Sequence, residues 1–142
     1  MLNSRCRLEG KNAHEIGALG EKIAARFLQR LGWKLLSRNF RAPKGGEVDL
    51  VMRGGAELDL LVFVEVKTRT RRDFGRPLRA VNAEKRALII RGGSEWLRLL
   101  GREPGATVLT DRRRLISWRY DVVEIVLQEG EPPDINLVEN AF

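Results

Sequence analysis

Cysteine is nearly missing from this chain. The single one, Cys6, excludes a disulfide within the chain and any cysteine-rich zinc site. It fits a reducing cytosol, so a cytoplasmic protein is expected. Histidine is as scarce. His14 stands alone near a helix start, where a surface position suits it better than a ligand's role. Long apolar runs are missing too, and the uninterrupted stretch Leu60 to Val64 is far too short to span a membrane. Residues 1–10 carry Arg5, Arg7 and Glu9 around no apolar centre and do not read as a signal peptide. There are no repeats and no low-complexity segments. Acids are in deficit: 19 Asp and Glu face 26 Lys and Arg, a net charge of +7. That excess suggests a polyanionic partner, most often nucleic acid, although a merely solvated basic surface would give the same count. At 142 residues and 43% hydrophobic, the chain can still bury one domain's core.

What is present reads in order as follows. Met1 to Lys11 has no periodicity and is expected to be mobile. A helix is predicted from about Ala13 to Leu31, with Asn12 as N-cap and Gly32 just past its end. Ile16, Leu19, Ile23, Phe27 and Leu31 form its core stripe, and Gly17, Gly20 and Ala24 beside them would let it approach a sheet closely. Glu21 lies on the flank of that face. Trp33 to Phe40 reads as a strand with Trp33, Leu35 and Leu36 as core candidates. A basic turn, Arg41 to Gly46, leads into a second strand. A second helix is expected from about Leu78 to Leu100, opened by Pro77 and disturbed at Gly92-Gly93, with Val81, Leu88, Trp96 and Leu99 inward. Lys85 falls in that apolar stripe and asks for a partner: solvent, an acid, or a bound phosphate. A last strand spans Leu115 to Leu127. Beyond Pro132-Pro133, Ile135, Leu137, Val138 and Phe142 could dock a tail.

The chain is organised around Gly46-Glu47-Val48-Asp49-Leu50 and Phe63-Val64-Glu65-Val66-Lys67. Each reads as a strand, and the glycine-containing segment between them predicts a hairpin. If it folds about Glu57, Asp49 lies opposite Glu65 and Glu47 opposite Lys67. Strand side chains alternate, so these four share one face. Val48, Leu50, Met52, Leu60, Val62, Val64 and Val66 make the other. Carboxylates opposed across a ladder repel, and burial adds to the cost. A cation must offset it. Lys67 could neutralise one acid in a structural cluster. Alternatively, the acids could hold a hard divalent cation, with Lys67 beside its water.

The order helix, three strands, helix, strand, with an Asp and a Glu-x-Lys on the central hairpin, resembles the PD-(D/E)XK, or restriction-endonuclease-like, nuclease superfamily. Within it the chain resembles the bacterial YraN-like family, whose members are similar to archaeal Holliday-junction resolvases. The landmarks are Gly17-Ala18-Leu19-Gly20-Glu21, Arg38-Asn39-Phe40-Arg41, Gly46 to Leu50, Val62 to Arg69, Ala80-Val81 with Lys85, Arg119 to Val123, and Asn140-Ala141-Phe142. The resemblance implies an α/β fold, an αβββαβ core with a mixed central sheet flanked by helices. Residues 13–142 would form one nuclease-like domain with a C-terminal tail. Val48 stands where the superfamily's named proline would precede the aspartate.

The resemblance also implies roles. Asp49, Glu65 and the Val66 carbonyl would hold Mg²⁺ or Mn²⁺, and Lys67 would orient or deprotonate the attacking water. Glu21 would bind the same ion, a second ion or a bridging water. Lys44, Arg69, Arg71, Arg72 and Lys85 would contact nucleic acid, expected to be DNA, through its backbone. The implied reaction is phosphodiester hydrolysis, on branched or damaged DNA among the candidates. A binding module that keeps the fold and cuts nothing remains the alternative. Oligomeric state is left open, a homodimer included.

Overall fold

The computed structural model describes residues 2–55, 59–71, 81–100 and 117–142, without the Leu100 side chain. The first helix, α1, is Ala13–Arg30. Asn12 caps it: its Oδ1 accepts from Glu15 N–H at 2.9 Å, and Glu15 Oε1 accepts from Asn12 N–H at 3.2 Å. This reciprocal pair satisfies two of the amides a helix start leaves open. At the other end Gly32 takes φ 92°, which lets the chain leave the helix. The helix buries Gly20, Ile23, Ala24, Ala25 and Leu28. The inward face is therefore centred on small residues, and Leu31, expected in the core, is 50% exposed. The close approach happens at Gly20, where an added Cβ would lie 1.9 Å from Thr68 Oγ1. A Cβ on Gly17 would meet nothing within 4 Å among the described residues.

Strands β1 (Lys34–Arg41), β2 (Glu47–Gly54), β3 (Leu60–Thr70), β4 (Ser117–Leu127) and β5 (Asp134–Val138) form one sheet in that order. Only β3 and β4 run parallel, so the sheet is mixed. In β1 the register slips between Leu35 and Ser37, a bulge that leaves Leu36 unpaired and turns this expected core residue outward. The C-terminal tail is a paired strand, β5. The segment before α1, expected to be mobile, carries two buried side chains, Cys6 and Leu8, and Cys6 bonds through its backbone to Gly130 and Glu131.

The second helix, α2 (Ala83–Leu100), starts later than the Pro77 signal suggests, because Asn82 caps it by accepting from Lys85 N–H at 2.8 Å. The expected turn at Asp73–Pro77 and the helix opening at Leu78 lie outside the described residues. Gly92 and Gly93 do not disturb α2 but press it against the sheet. A Cβ on Gly92 would lie 3.0 Å from the Glu47 backbone, and one on Gly93 would lie 2.9 Å from the Tyr120 hydroxyl. Leu99, expected inward, is exposed, and Ile89 is buried in its place.

The two helices lie on opposite faces of the sheet. Leu50, Met52, Val62, Val64, Val123 and Ile125 pack with α1, while Val48, Val51, Leu61, Phe63 and Val122 pack with Ile89 of α2. Val48 thus leaves the face that Leu50 and Met52 share. Strict alternation fails between Val48 and Leu50, across from Asn39 with its φ of 51°. Among the described residues no helix is long and apolar enough to cross a membrane.

The glycine contacts predict opposite signs for one substitution. Gly17→Ala should stabilise by up to about 1 kcal/mol, since alanine is the better helix former. Gly92→Ala should instead destabilise by about 1–3 kcal/mol, because its methyl meets sheet backbone that cannot give way. Urea denaturation reads both, and stabilisation by Gly92→Ala would contradict the packing described.

Candidate active site

The β2–β3 ladder pairs Gly54 with Leu60, Met52 with Val62 and Leu50 with Val64, then stops. Continuing that register sets Asp49 opposite Glu65, the relation expected of a fold about Glu57, which itself lies outside the described residues. Beyond the last pair β2 stays bound to β1, through Phe40↔Val48 and Arg41↔Glu47. The next amide of β3, Val66 N–H, is taken by Asp49 Oδ2 at 2.8 Å. A side chain replaces the ladder, and the carboxylate is fixed in the opening between the strands.

Glu65 is only 4% exposed. Burial first, then the charge of Asp49 and a shared hydrogen bond with it, push the Glu65 carboxyl up to about 8, against the opposing pull of Lys85 and Lys67. Its Oε2 is buried, and no donor among the described residues reaches it. What remains to neutralise it is a proton held with Asp49, or a cation.

Lys85 approaches from the first turn of α2. Its Nζ bonds to Glu47 and lies 3.7 Å from Glu65 Oε1, too long for a hydrogen bond but an ion pair. Burial pulls this ammonium down, and the hydrogen bond to Glu47 with the charges of Glu65, Glu47 and Asp49 outweighs it, so the net shift is upward. Glu47 moves the other way, held low by that hydrogen bond and by the charges of Lys85 and Arg41, against its own burial. Lys85, expected at the nucleic acid, is thus turned onto the acids.

Lys67 follows Glu65 by two residues on the same face of β3. Its charge is felt by Glu65, but it makes no ion pair with any described residue. The expectation that Lys67 might neutralise Glu47 is met by Lys85 instead. Glu21 reaches in from α1, one residue past the Gly20 contact. Burial and then the charge of Asp49 raise its carboxyl, with a hydrogen bond from Asn39 opposing. Asn39 carries φ 51°, an uncommon backbone for a non-glycine residue that asparagine tolerates. Sequence reasoning gave Asn39 no role; its one signal was its place in the Arg38–Arg41 landmark.

Among the described residues no three carboxylate, imidazole or thiol groups converge as a metal cage. Asp49 and Glu65 are gathered as a pair, and Glu21 stands outside it. Mg²⁺ is held by one or two carboxylates while keeping much of its water, so a pair fits it, and the donor-less Glu65 Oε2 supplies an unused ligand atom. Of the expected nucleic-acid contacts, Lys44 is exposed in the β1–β2 connection, Arg69 is half-buried near the end of β3, and Arg71 pairs with Asp134 at 3.7 Å. Arg72 lies outside the described residues.

These features define an α/β protein whose described residues form a five-stranded mixed sheet, two helices and a carboxylate pair set in a gap of the sheet. Residues 20–125 match the family described as "Uncharacterised protein family UPF0102". The chain is 36% identical over 135 residues to a UPF0102 protein of Trichlorobacter lovleyi, covering 95% of each chain. It is 38% identical over 135 residues to one of Geobacter sulfurreducens, covering 94% of each. It is 41% identical over 127 residues to one of Rhodococcus jostii, covering 89% of this chain and 95% of that one. The chain belongs to the UPF0102 family.

The raised Glu65 carboxyl sets a pH dependence. Between the usual carboxylate range and about 8, the folded state holds a proton that the unfolded state has released. The site's stability contribution is full below that window and is lost as pH rises through about 8. In metal-free buffer the wild type should therefore lose stability across this range, and Glu65→Gln should flatten that slope. Melting curves at stepped pH check it; parallel slopes would refute the shared-proton description.

Proposed function

We propose that this protein is a metal-dependent endonuclease that hydrolyses phosphodiester bonds of DNA. One observation carries the reading: among the described residues Glu65 is buried without a donor for Oε2 and faces Asp49, while the adjacent Lys67 is left out of every ion pair. A purely structural cluster would spend its nearest lysine on neutralisation. Here Lys85 has that task, and Lys67 stays available. The order α1, β1, β2, β3, α2, β4 supports the restriction-endonuclease-like core, with β5 added at the edge.

Asp49, Glu65 and the Val66 carbonyl would hold Mg²⁺ or Mn²⁺. Such an ion, when bound, acidifies water and offsets charge developing on the phosphate. Asp49 is pre-oriented by Val66 N–H and needs little reorganisation to serve as a ligand. Glu65 must release its proton to do so, which makes metal affinity rise with pH. Lys67 orients the attacking water or takes its proton. Lys85 fixes Glu47 and keeps part of the acids' charge balanced before any ion arrives. Glu21 acts from the opposite layer on Asp49 or on a bridging water. The net charge of +7, with Arg69 and Arg71 leaving the sheet on the Lys67 strand, would hold the DNA backbone without reading sequence.

The test pairs two lysines. Lys67→Ala should abolish Mn²⁺-dependent cleavage of duplex, single-stranded and four-way-junction DNA, and change stability by less than about 1 kcal/mol. Lys85→Ala should cost about 1–3 kcal/mol, because it leaves partly buried carboxylates without their cation. Mn²⁺ should raise the melting temperature of the wild type and leave that of Asp49→Ala unchanged. A wild type that binds all three DNAs and cuts none, with Lys67→Ala melting far lower, would make this a binding module instead.

A further inference from the structure

A basic cleft lies apart from the acidic pair, between residues 42–45 of the β1–β2 connection and the middle of α2. It encloses about 440 Å³ and is lined by Lys44, Arg91 and Arg98, with Ser94 and Glu95. Glu95 is held by Arg98 one helical turn away. Lys44 and Arg91 are exposed and make no ion pair with any described residue. The walls are built in place. A Cβ on Gly46 would come within 2.7 Å of Gly92 N, and one on Gly45, at φ 91°, would lie 3.6 Å from Arg91 Nη1. Backbone packing, not the reach of flexible side chains, brings these cations together.

We propose that this cleft binds the phosphodiester backbone of the nucleic acid, away from the point of cleavage. The inference rests on the nuclease reading for its ligand class and adds a second contact point. Guanidinium forks match phosphate oxygens. Among the described residues the lining has no aromatic ring on which a base could stack, and its small residues admit a close backbone, so the contact is sequence-independent. The cleft and the acidic pair share both walls. Glu47 follows Gly46 and holds Lys85. On α2, Arg91 and Arg98 lie about 9 and 20 Å along the axis from Lys85 at 1.5 Å per residue. At a rise of about 3.4 Å per phosphate along a duplex strand, the cleft takes backbone about three to six nucleotides from the reacting phosphate.

Anisotropy of a fluorescent DNA duplex in EDTA, across a salt series, tests the cleft without cleavage. Lys44→Ala and Arg91→Ala should each weaken binding about tenfold and lower the salt slope by about one. Arg30→Ala, the same charge change in the last turn of α1, should alter neither. Equal losses in all three variants would overturn the proposal, since net charge alone would then explain binding. So would unchanged affinity in both cleft variants, or a wild type that does not bind; the cations would then serve another polyanion, such as an acidic protein surface. Cleavage is assayed separately with Mn²⁺. A wild type that cuts but is indifferent to Arg91→Ala refutes the cleft and spares the nuclease. Cleft-dependent binding without cutting supports the cleft and refutes the nuclease.

Discussion

A buried carboxylate without a donor persists only by keeping a proton or by meeting a cation. Glu65 is under that constraint, and the surrounding structure is arranged around it. The ladder between β2 and β3 ends one pair short of Glu65, so a second carboxylate can enter the gap. Asp49 is then fixed by the very amide that a continued ladder would have used. Had pairing gone on, Val66 N–H would have been satisfied by backbone, and Asp49 would have lost its anchor.

The two helices bring the remaining charges by coming very close. Gly20 of α1 rests on Thr68, next to Lys67, and carries Glu21 at its side. Gly92 of α2 rests on Val48 and the Glu47 backbone, next to Asp49. Lys85 precedes Gly92 by seven residues, two helical turns, and so shares its inward face. Carboxylate and ammonium side chains reach only a few ångströms past their own backbone. A methyl group at either contact would lift the helix by a sizeable part of that reach. The glycines therefore set the electrostatics of the site as well as its packing.

Much of this is legible in the residues. The hairpin register follows from the apolar alternation around a glycine-bearing turn, and the Asn12 cap follows from Asn-x-x-Glu ahead of a periodic run. Three features resist such reading. The break in alternation between Val48 and Leu50 puts Val48 on the other face, against the strict period of two that sequence patterning assumes. The bulge at Leu36 depends on how β1 meets β2, which no local pattern encodes. The glycine pair of α2 reads as a propensity defect because its compensation, contact with Glu47 and Phe63, is distant in sequence. Lys85 is an intermediate case: a lysine in an apolar stripe asks for solvent, an acid or a phosphate, and its ion pairs with Glu47 and Glu65 select the acid.

The sheet holds a second buried acid, and the comparison bears on what Glu65 is for. Asp121 on β4 is fully buried. Arg119 gives it two arms, at 2.9 Å from Nε and 3.0 Å from Nη2, and Asn140 N–H donates at 2.9 Å. Those bonds tie the C-terminal residues back to β4, helped by Phe142 stacking on Tyr120 with centroids 5.2 Å apart. This is how the chain treats an acid whose work is structural: a guanidinium fork two residues away and a backbone amide close the account. Glu65 receives neither, although Lys67 stands at the same two-residue spacing on its own strand. A fold able to satisfy Asp121 so fully had the means to satisfy Glu65. Leaving its Oε2 without a donor, in a gap edged by Asp49 and Lys67, costs stability that only an arriving cation or proton returns. That asymmetry between neighbouring strands, more than the count of acids, distinguishes Glu65 from an acid whose partners the fold supplies in full.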